Sequence, residues 1–401
     1  MELTLGEAKP IIKYIIKNNK KLQERGQYPV AINIEGIAGI GKTSLIDTIA
    51  KELDYNYIFL SLSNLAEPSD LVGYPIKEHY VCKDDECTWI PSELLESYAK
   101  AGWNLTDETR MGYAIPSWLK GLDPNKGTIM LLDDFTRSTP AILACTMEVI
   151  NRQQYISWKL PKNTTVLLSS NPDSGLFSVA SLDSAQKSRY INLKVKFDIN
   201  AWAAWAEEKQ IDSRAINFLL QYHRELMDSS KTGEAKVNAR NYTMFANTIS
   251  GIPDWGKSES LAFILQIASG CFLGDDDDIV GSLFTTFIHN KLDKLMSPED
   301  MVHNDWAYVK SKLLEQLYDG EQYRADIASI LTTRFINYSM LWFSKSGKSD
   351  VIVNRIIEIV ENDKMLLSED LIFSMCKTLV KNYPVQSNKL LLNKTLIKKI
   401  I

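Results

Sequence analysis

Residues 30–50 read VAINIEGIAGIGKTSLIDTIA. Gly36, Gly39 and Gly41 fall within six residues, Lys42 and Thr43 follow at once, and an apolar run stands before them with an amphipathic run after. VAINI has the character of a buried strand, whereas Leu45, Ile46, Ile49, Ala50 and Leu53 share one face at helical spacing. The loop therefore closes a strand and opens a helix. A helix N-terminus offers unpaired N–H groups and a partial positive charge, and glycines let the backbone close around a phosphate without Cβ clashes. The spacing is G-x-x-x-x-G-K-[ST], not the G-x-G-x-x-G order of dinucleotide sites. We assign the stretch Gly36, Ile37, Ala38, Gly39, Ile40, Gly41, Lys42, Thr43 and Ser44 to the phosphates of a nucleotide. Lys42 is directed at the β and γ oxygens, and Thr43 supplies a hydroxyl to Mg²⁺.

Such a loop needs a carboxylate at the end of a neighbouring buried strand, and TIMLLDDF, residues 128–135, supplies two. Asp133 is the expected metal partner, and Asp134 stands where an acid would polarise the attacking water. A further apolar run, TVLLSS, ends in Asn171 and Pro172. The Asn171 amide there would orient the water and sense the γ-phosphate.

Around these motifs, strand-like and helical runs alternate from residue 1 to about 197, which predicts βαβ units around a mainly parallel sheet. Residues 76–91 read as a hairpin inserted before a helix, with Cys82 and Cys87 facing each other across it. From about 198 onward apolar residues recur at three- and four-residue spacing, so this half is expected to be almost wholly helical. A soft boundary is placed near 258–280, where GDDDD interrupts the pattern.

The chain has 401 residues, 45% hydrophobic and 24% charged, which excludes a mainly disordered protein. Its formal net charge of −5 gives no global basic field for nucleic acid or an anionic membrane. No apolar run is long enough to suggest a membrane span. The five cysteines are odd in number and thinly spread, and the N-terminus has no signal-peptide pattern, so a reducing cytoplasm is expected.

Taken in order, these residues resemble the AAA+ ATPases, and most closely the MoxR-type and dynein-related branch, over about residues 25–255. GIAGIGKTS resembles the Walker A loop, IMLLDDFTRSTPA the Walker B strand with its extension, and LLSSNP the sensor 1 segment. The resemblance implies an α/β P-loop AAA+ domain over 1–197 and a helical lid over 198–257, and the apolar spacing adds a further helical region over 258–401. It also implies three arginines at the site. SLDSAQKSRY puts Arg189 at the arginine-finger position, KVNARNYTMFANTI carries Arg240 as sensor 2, and FTRS places Arg137 near a subunit interface. PSDLVGYPIKE is similar to the segment leading into this branch's helix-2 insert, which would be the 76–91 hairpin.

The implied protein binds ATP and Mg²⁺, assembles as a homo-oligomer, typically a hexameric ring, and uses hydrolysis to remodel or move a protein partner. Two departures stand out. Asp134 occupies a place that the family usually fills with the longer glutamate, and Ser188 precedes Arg189 instead of an aspartate. Residues beyond about 258 match no family pattern. Two alternatives accompany this reading: a nucleotide-gated scaffold that hydrolyses slowly, favoured by the short Asp134, and a DNA-handling motor or loader, disfavoured by the acidic balance.

Overall fold

The structure, a computed structural model, describes residues 2–172, 182–227, 237–272, 277–346, 350–362, 364–393 and 396. The chain divides into two compact units, Met1–Phe197 and Asp198–Ile401.

The strands of the first unit are β1 (Leu3–Thr4), β2 (Ala31–Glu35), β3 (Asn56–Ser61), β4 (Pro75–Lys83), β5 (Glu86–Pro91), β6 (Asn104–Tyr113), β7 (Thr128–Asp133), β8 (Gln154–Tyr155), β9 (Trp158–Lys159), β10 (Thr164–Ser170) and β11 (Tyr190–Lys196). Its helices are α1 (Leu5–Glu24), α2 (Lys42–Leu53), α3 (Pro68–Val72), α4 (Leu95–Lys100), α5 (Pro140–Arg152) and α6 (Ser184–Lys187). Six strands form one sheet in the order β1-β11-β2-β10-β7-β3, and every pairing in it is parallel.

The runs that read as buried strands are buried on both faces, as a sheet covered by helices on each side requires. Successive side chains point to opposite faces. Ile32, Ile34, Ile129, Leu131 and Leu167 pack with Ile12 and Ile16 of α1 and Ile46 and Ile49 of α2. On the other face Ala31, Met130, Leu132, Val166 and Leu168 pack with Ile142, Leu143, Met147 and Ile150 of α5. Near the carboxyl ends of the strands this second face turns polar. Asn33 Nδ2 donates to Ser170 Oγ at 2.9 Å and to Asn192 Oδ1 at 2.8 Å, and Asn192 Nδ2 donates to Glu35 Oε2 at 2.6 Å.

The expected hairpin is β4 and β5, but a third strand, β6, pairs with β4 to complete an antiparallel sheet in the order β5-β4-β6. Its two-residue turn, Asp84 and Asp85, has Asp84 at a φ of 53° and aligns Cys82 with Cys87. These two cysteines are joined in a disulfide, a pairing that the sparse, odd cysteine count did not lead us to expect.

The second unit contains α7 (Ile199–Glu208), α8 (Ser213–Leu226), α9 (Ala239–Ile249), α10 (Ser258–Cys271), α11 (Asp277–His289), α12 (Pro298–His303), α13 (Trp306–Leu317), α14 (Ala325–Ser346), α15 (Asp350–Val360), α16 (Glu369–Asn382) and α17 (Asn388–Leu392), with a two-stranded ribbon of β12 (Tyr318–Asp319) and β13 (Gln322–Tyr323). The division expected near residue 258 is not a break in packing. Phe218 of α8 lies 5.1 Å from Phe284 and 5.3 Å from Phe287 between ring centroids, and Phe245 of α9 lies 5.2 Å from Phe272. One aromatic core therefore spans both expected parts. Residues 274–276 of the GDDDD run lie outside the described residues. No described helix is long and apolar enough to cross a membrane.

Candidate functional site

Parallel strands bring their carboxyl ends to one edge of the sheet, and ligands of open α/β sheets collect there. The adjacent strands β2 and β10 stay in register to that edge, where Gly36 N–H donates to the Ser170 carbonyl at 3.1 Å. The glycine loop and Asn171 therefore leave neighbouring strands at the same level. On the far side of β10, β7 ends with Asp133 opposite Ser61 of β3.

The loop's shape depends on two glycines. A Cβ at Gly36 would stand 2.7 Å from the Val195 carbonyl oxygen, a backbone atom that cannot swing away. Gly41 has a φ of 99° and is the N-cap of α2, with no side chain capping the helix. Glycine alone takes this left-handed turn without strain, and a helix N-terminus of this kind is where a phosphate is received.

Lys42 is 8% exposed. Its Nζ donates to the carbonyls of Gly36 at 2.6 Å and Ile37 at 3.0 Å, and to Asn171 Oδ1 at 3.2 Å. Thr43 Oγ1 donates to Asp133 Oδ2 at 3.0 Å, while Asp133 Oδ1 accepts the Asp134 N–H at 3.1 Å. A hydroxyl beside a carboxylate is a hard-oxygen pair of the kind that suits Mg²⁺.

The structure thus brings Lys42, Thr43, Asp133, Asp134 and Asn171 to one edge. Arg137 ends the short 3₁₀ turn Phe135–Arg137 that follows Asp134, and its side chain is exposed. Arg189, also exposed, immediately precedes β11, whose first residue Tyr190 pairs with Ala31 at the start of β2. It sits at the amino edge of the sheet, about 16 Å of strand away from the glycine loop. Arg240 belongs to the second unit, exposed in the first turn of α9.

Two neighbours were not anticipated from the sequence. Ser63 Oγ donates to Asp134 Oδ2 at 3.3 Å and shares a hydrogen bond with Ser61 Oγ at 3.2 Å. Tyr57 has a buried hydroxyl with no hydrogen-bond partner, pushed well above its ordinary pKa by burial and then by the charges of Asp47 and Asp133. A serine two residues past a strand and a tyrosine within it carry no spacing signal that could have singled them out.

Residues 32–190 match the family model of the AAA domain, dynein-related subfamily. The AAA match begins in β2 and ends at the first residue of β11, so it takes in the glycine loop, both acidic residues, Asn171 and the antiparallel insert. Midasin of Dictyostelium discoideum is 31% identical over 109 residues, which is 27% of this chain. The chain spans only 2% of that protein's length. Among solved structures, the RuvB Holliday junction branch migration motor of Thermotoga maritima is 18% identical, covering 70% of this chain and 84% of its own at a TM-score of 0.30. A single-residue variant of it, also 18% identical, covers 70% and 85% at a TM-score of 0.31.

Proposed function

We propose that the protein is a Mg-ATP-hydrolysing AAA+ ATPase of MoxR type that works as a homo-oligomeric ring, hexameric in this branch, and remodels or moves a protein partner. The observation that carries this reading is the meeting of Lys42, Thr43, Asp133 and Asn171 at the carboxyl edge of one parallel sheet. The loop from Gly36 to Ser44 binds the phosphates through its N–H groups, and Lys42 exchanges its loop carbonyls for the β and γ oxygens. Thr43 and Asp133 hold Mg²⁺, which when bound neutralises charge on the phosphates. Asp134 orients the water that attacks the γ-phosphorus as the bond to the β,γ-bridging oxygen breaks, leaving ADP and phosphate. Asn171, on Lys42 before the reaction, passes to that water and the γ-phosphate.

The arginines act across subunits. Arg189 stands at the wrong end of the sheet to serve its own loop, and this supports a finger presented to a neighbouring chain, with Arg137 beside the same boundary. Arg240 contributes from the helical unit as sensor 2. The second reading, a slowly hydrolysing scaffold, is favoured by one observation: the short Asp134 carboxylate is already engaged sideways by Ser63.

Lys42→Ala tests the nucleotide site, because it removes the cation aimed at the β and γ oxygens. Calorimetry with ATP and Mg²⁺ should show binding lost, with the fold retained by circular dichroism. Unchanged affinity would reject the site.

A further inference from the structure

The second unit holds a cavity of about 610 Å³ bounded by α7, α8, α12 and α14, within the size range of small-ligand sites. Its floor is Arg334, only 1% exposed. The guanidinium donates through Nε to Glu207 Oε1 at 2.6 Å, through Nη1 to Asn217 Oδ1 at 3.1 Å and through Nη2 to Ser213 Oγ at 2.8 Å. Its fork is committed within the protein and its charge is balanced by Glu207, so it leaves little for an incoming anion. Asp212, also in the lining, is matched by Arg214 at 2.6 Å.

One wall is aromatic. Tyr338 and Trp342, a turn apart on α14, stack with ring centroids 6.2 Å apart and planes 27° from parallel. His303 holds them in place, with Nε2 3.1 Å from the Tyr338 hydroxyl oxygen and its ring 5.1 Å from that of Trp342. Two exposed carboxylates belong to the lining, Glu208 at the end of α7 and Glu299 in the first turn of α12, and besides the buried Arg334 the one cation among the described lining residues is Lys345. Burial and then the Glu299 charge push the Tyr338 hydroxyl above its ordinary pKa, so the carboxylate's field reaches the aromatic wall.

We propose that this cavity binds a primary ammonium group on an alkyl stem, the stem lying along Tyr338 and Trp342 and the ammonium held by Glu208 and Glu299. An ammonium is drawn to the face of an indole or phenol ring and makes charge-assisted hydrogen bonds to carboxylates, while its methylenes cover apolar surface. An anion would meet the two exposed carboxylates. A bare metal ion would leave the aromatic wall unused, and among the described residues no group of three or more His, Cys, Asp and Glu is arranged to hold one.

The ammonium could belong to a free amine or to a lysine side chain of a bound segment, and calorimetry on the full chain distinguishes them. The probes are cadaverine, spermidine and N-acetyl-lysine amide, with pentanediol as the uncharged counterpart of cadaverine. Saturable binding of amines and none of the diol is expected. Tighter binding of the diamines identifies a free amine, and tighter binding of the lysine derivative a side chain. The double variant Glu208→Gln with Glu299→Gln should weaken binding about tenfold or more, as should Trp342→Leu. If Trp342→Leu fails to fold, the exposed glutamine pair, with its melting temperature checked, carries the test. Absence of saturable heat with all three amines, an equal response to the diol, or unchanged affinity in the glutamine pair would overturn the proposal.

Discussion

Asp134 has a left-handed backbone, at a φ of 52°, and its carbonyl accepts the Arg137 N–H at 2.9 Å to start the short turn beyond β7. This bend aims the carboxylate away from the strand, where Ser63 reaches it. A side chain one methylene longer in the same place would extend further toward the phosphates. Asp134→Glu is therefore expected to keep or raise kcat. Asp134→Asn should lower it by about 10²–10⁴-fold, the span for loss of one acid–base group, while ATP stays bound. Single-turnover hydrolysis together with nucleotide retention on a gel-filtration column checks both. Parent-like turnover in both variants would pass the role to another acid.

Among the elements, the central strands of the main sheet were the most legible in the sequence, because a covered parallel strand is a largely apolar run, as in β2, β7 and β10. β11 was not read as a strand: in YINLKVK only Tyr190 and Val195 are fully buried, so its apolar signal is diluted. β6 was missed for a related reason, since nine of its ten residues are half-buried or exposed and most of them are charged or polar, with Gly112 alone buried. That Lys42, Thr43, Asp133 and Asn171 gather at one edge was legible because Asp133 ends a strand and the others stand in segments that directly follow one. Ser63 was not, because its role depends on the curl of the chain after β3.

The insert carries a prediction of its own. With Cys82 and Cys87 joined, the free cysteines are Cys145, Cys271 and Cys376. Burial raises the Cys376 thiol to about 11 and that of Cys271 above its ordinary value, so little reactive thiolate is present near neutral pH. Titration with Ellman's reagent at pH 8 should find Cys376 unreactive in the folded protein. In denaturant it should count three thiols without reductant and five after reduction and removal of the reductant. Five thiols in denaturant before any reduction would show the pair to be unbonded.

For the molecule as a whole, the placement of Arg189 predicts complementation between chains. Neither Arg189→Ala nor Lys42→Ala should turn ATP over alone, but mixed assemblies should recover part of the activity, because an intact finger can then face an intact loop. An arginine finger supplied in trans accelerates phosphoryl transfer by about 10³–10⁵-fold in well-studied cases, so even modest recovery is measurable. The check is steady-state turnover across mixing ratios with assembly followed by light scattering, and no recovery at any ratio would mean that each chain completes its own site. The hydrogen bonds that join Glu35, Asn192, Asn33 and Ser170 have a different consequence, one for the folding pathway. To a collapsing chain the apolar strands are nearly interchangeable, and a misordered or shifted sheet would bury much the same greasy surface. Asn33 discriminates, since a wrong neighbour or a shift of one residue would cost its Nδ2 group both acceptors, Ser170 and Asn192, leaving the buried amide with no partner at either end. Replacing it in Asn33→Val should therefore lower the yield of correctly refolded protein, read as recovered ATP binding after dilution from denaturant, more than it lowers the melting temperature of the molecules that do refold. An unchanged yield would show that the strands find their order by hydrophobicity and chain connection alone.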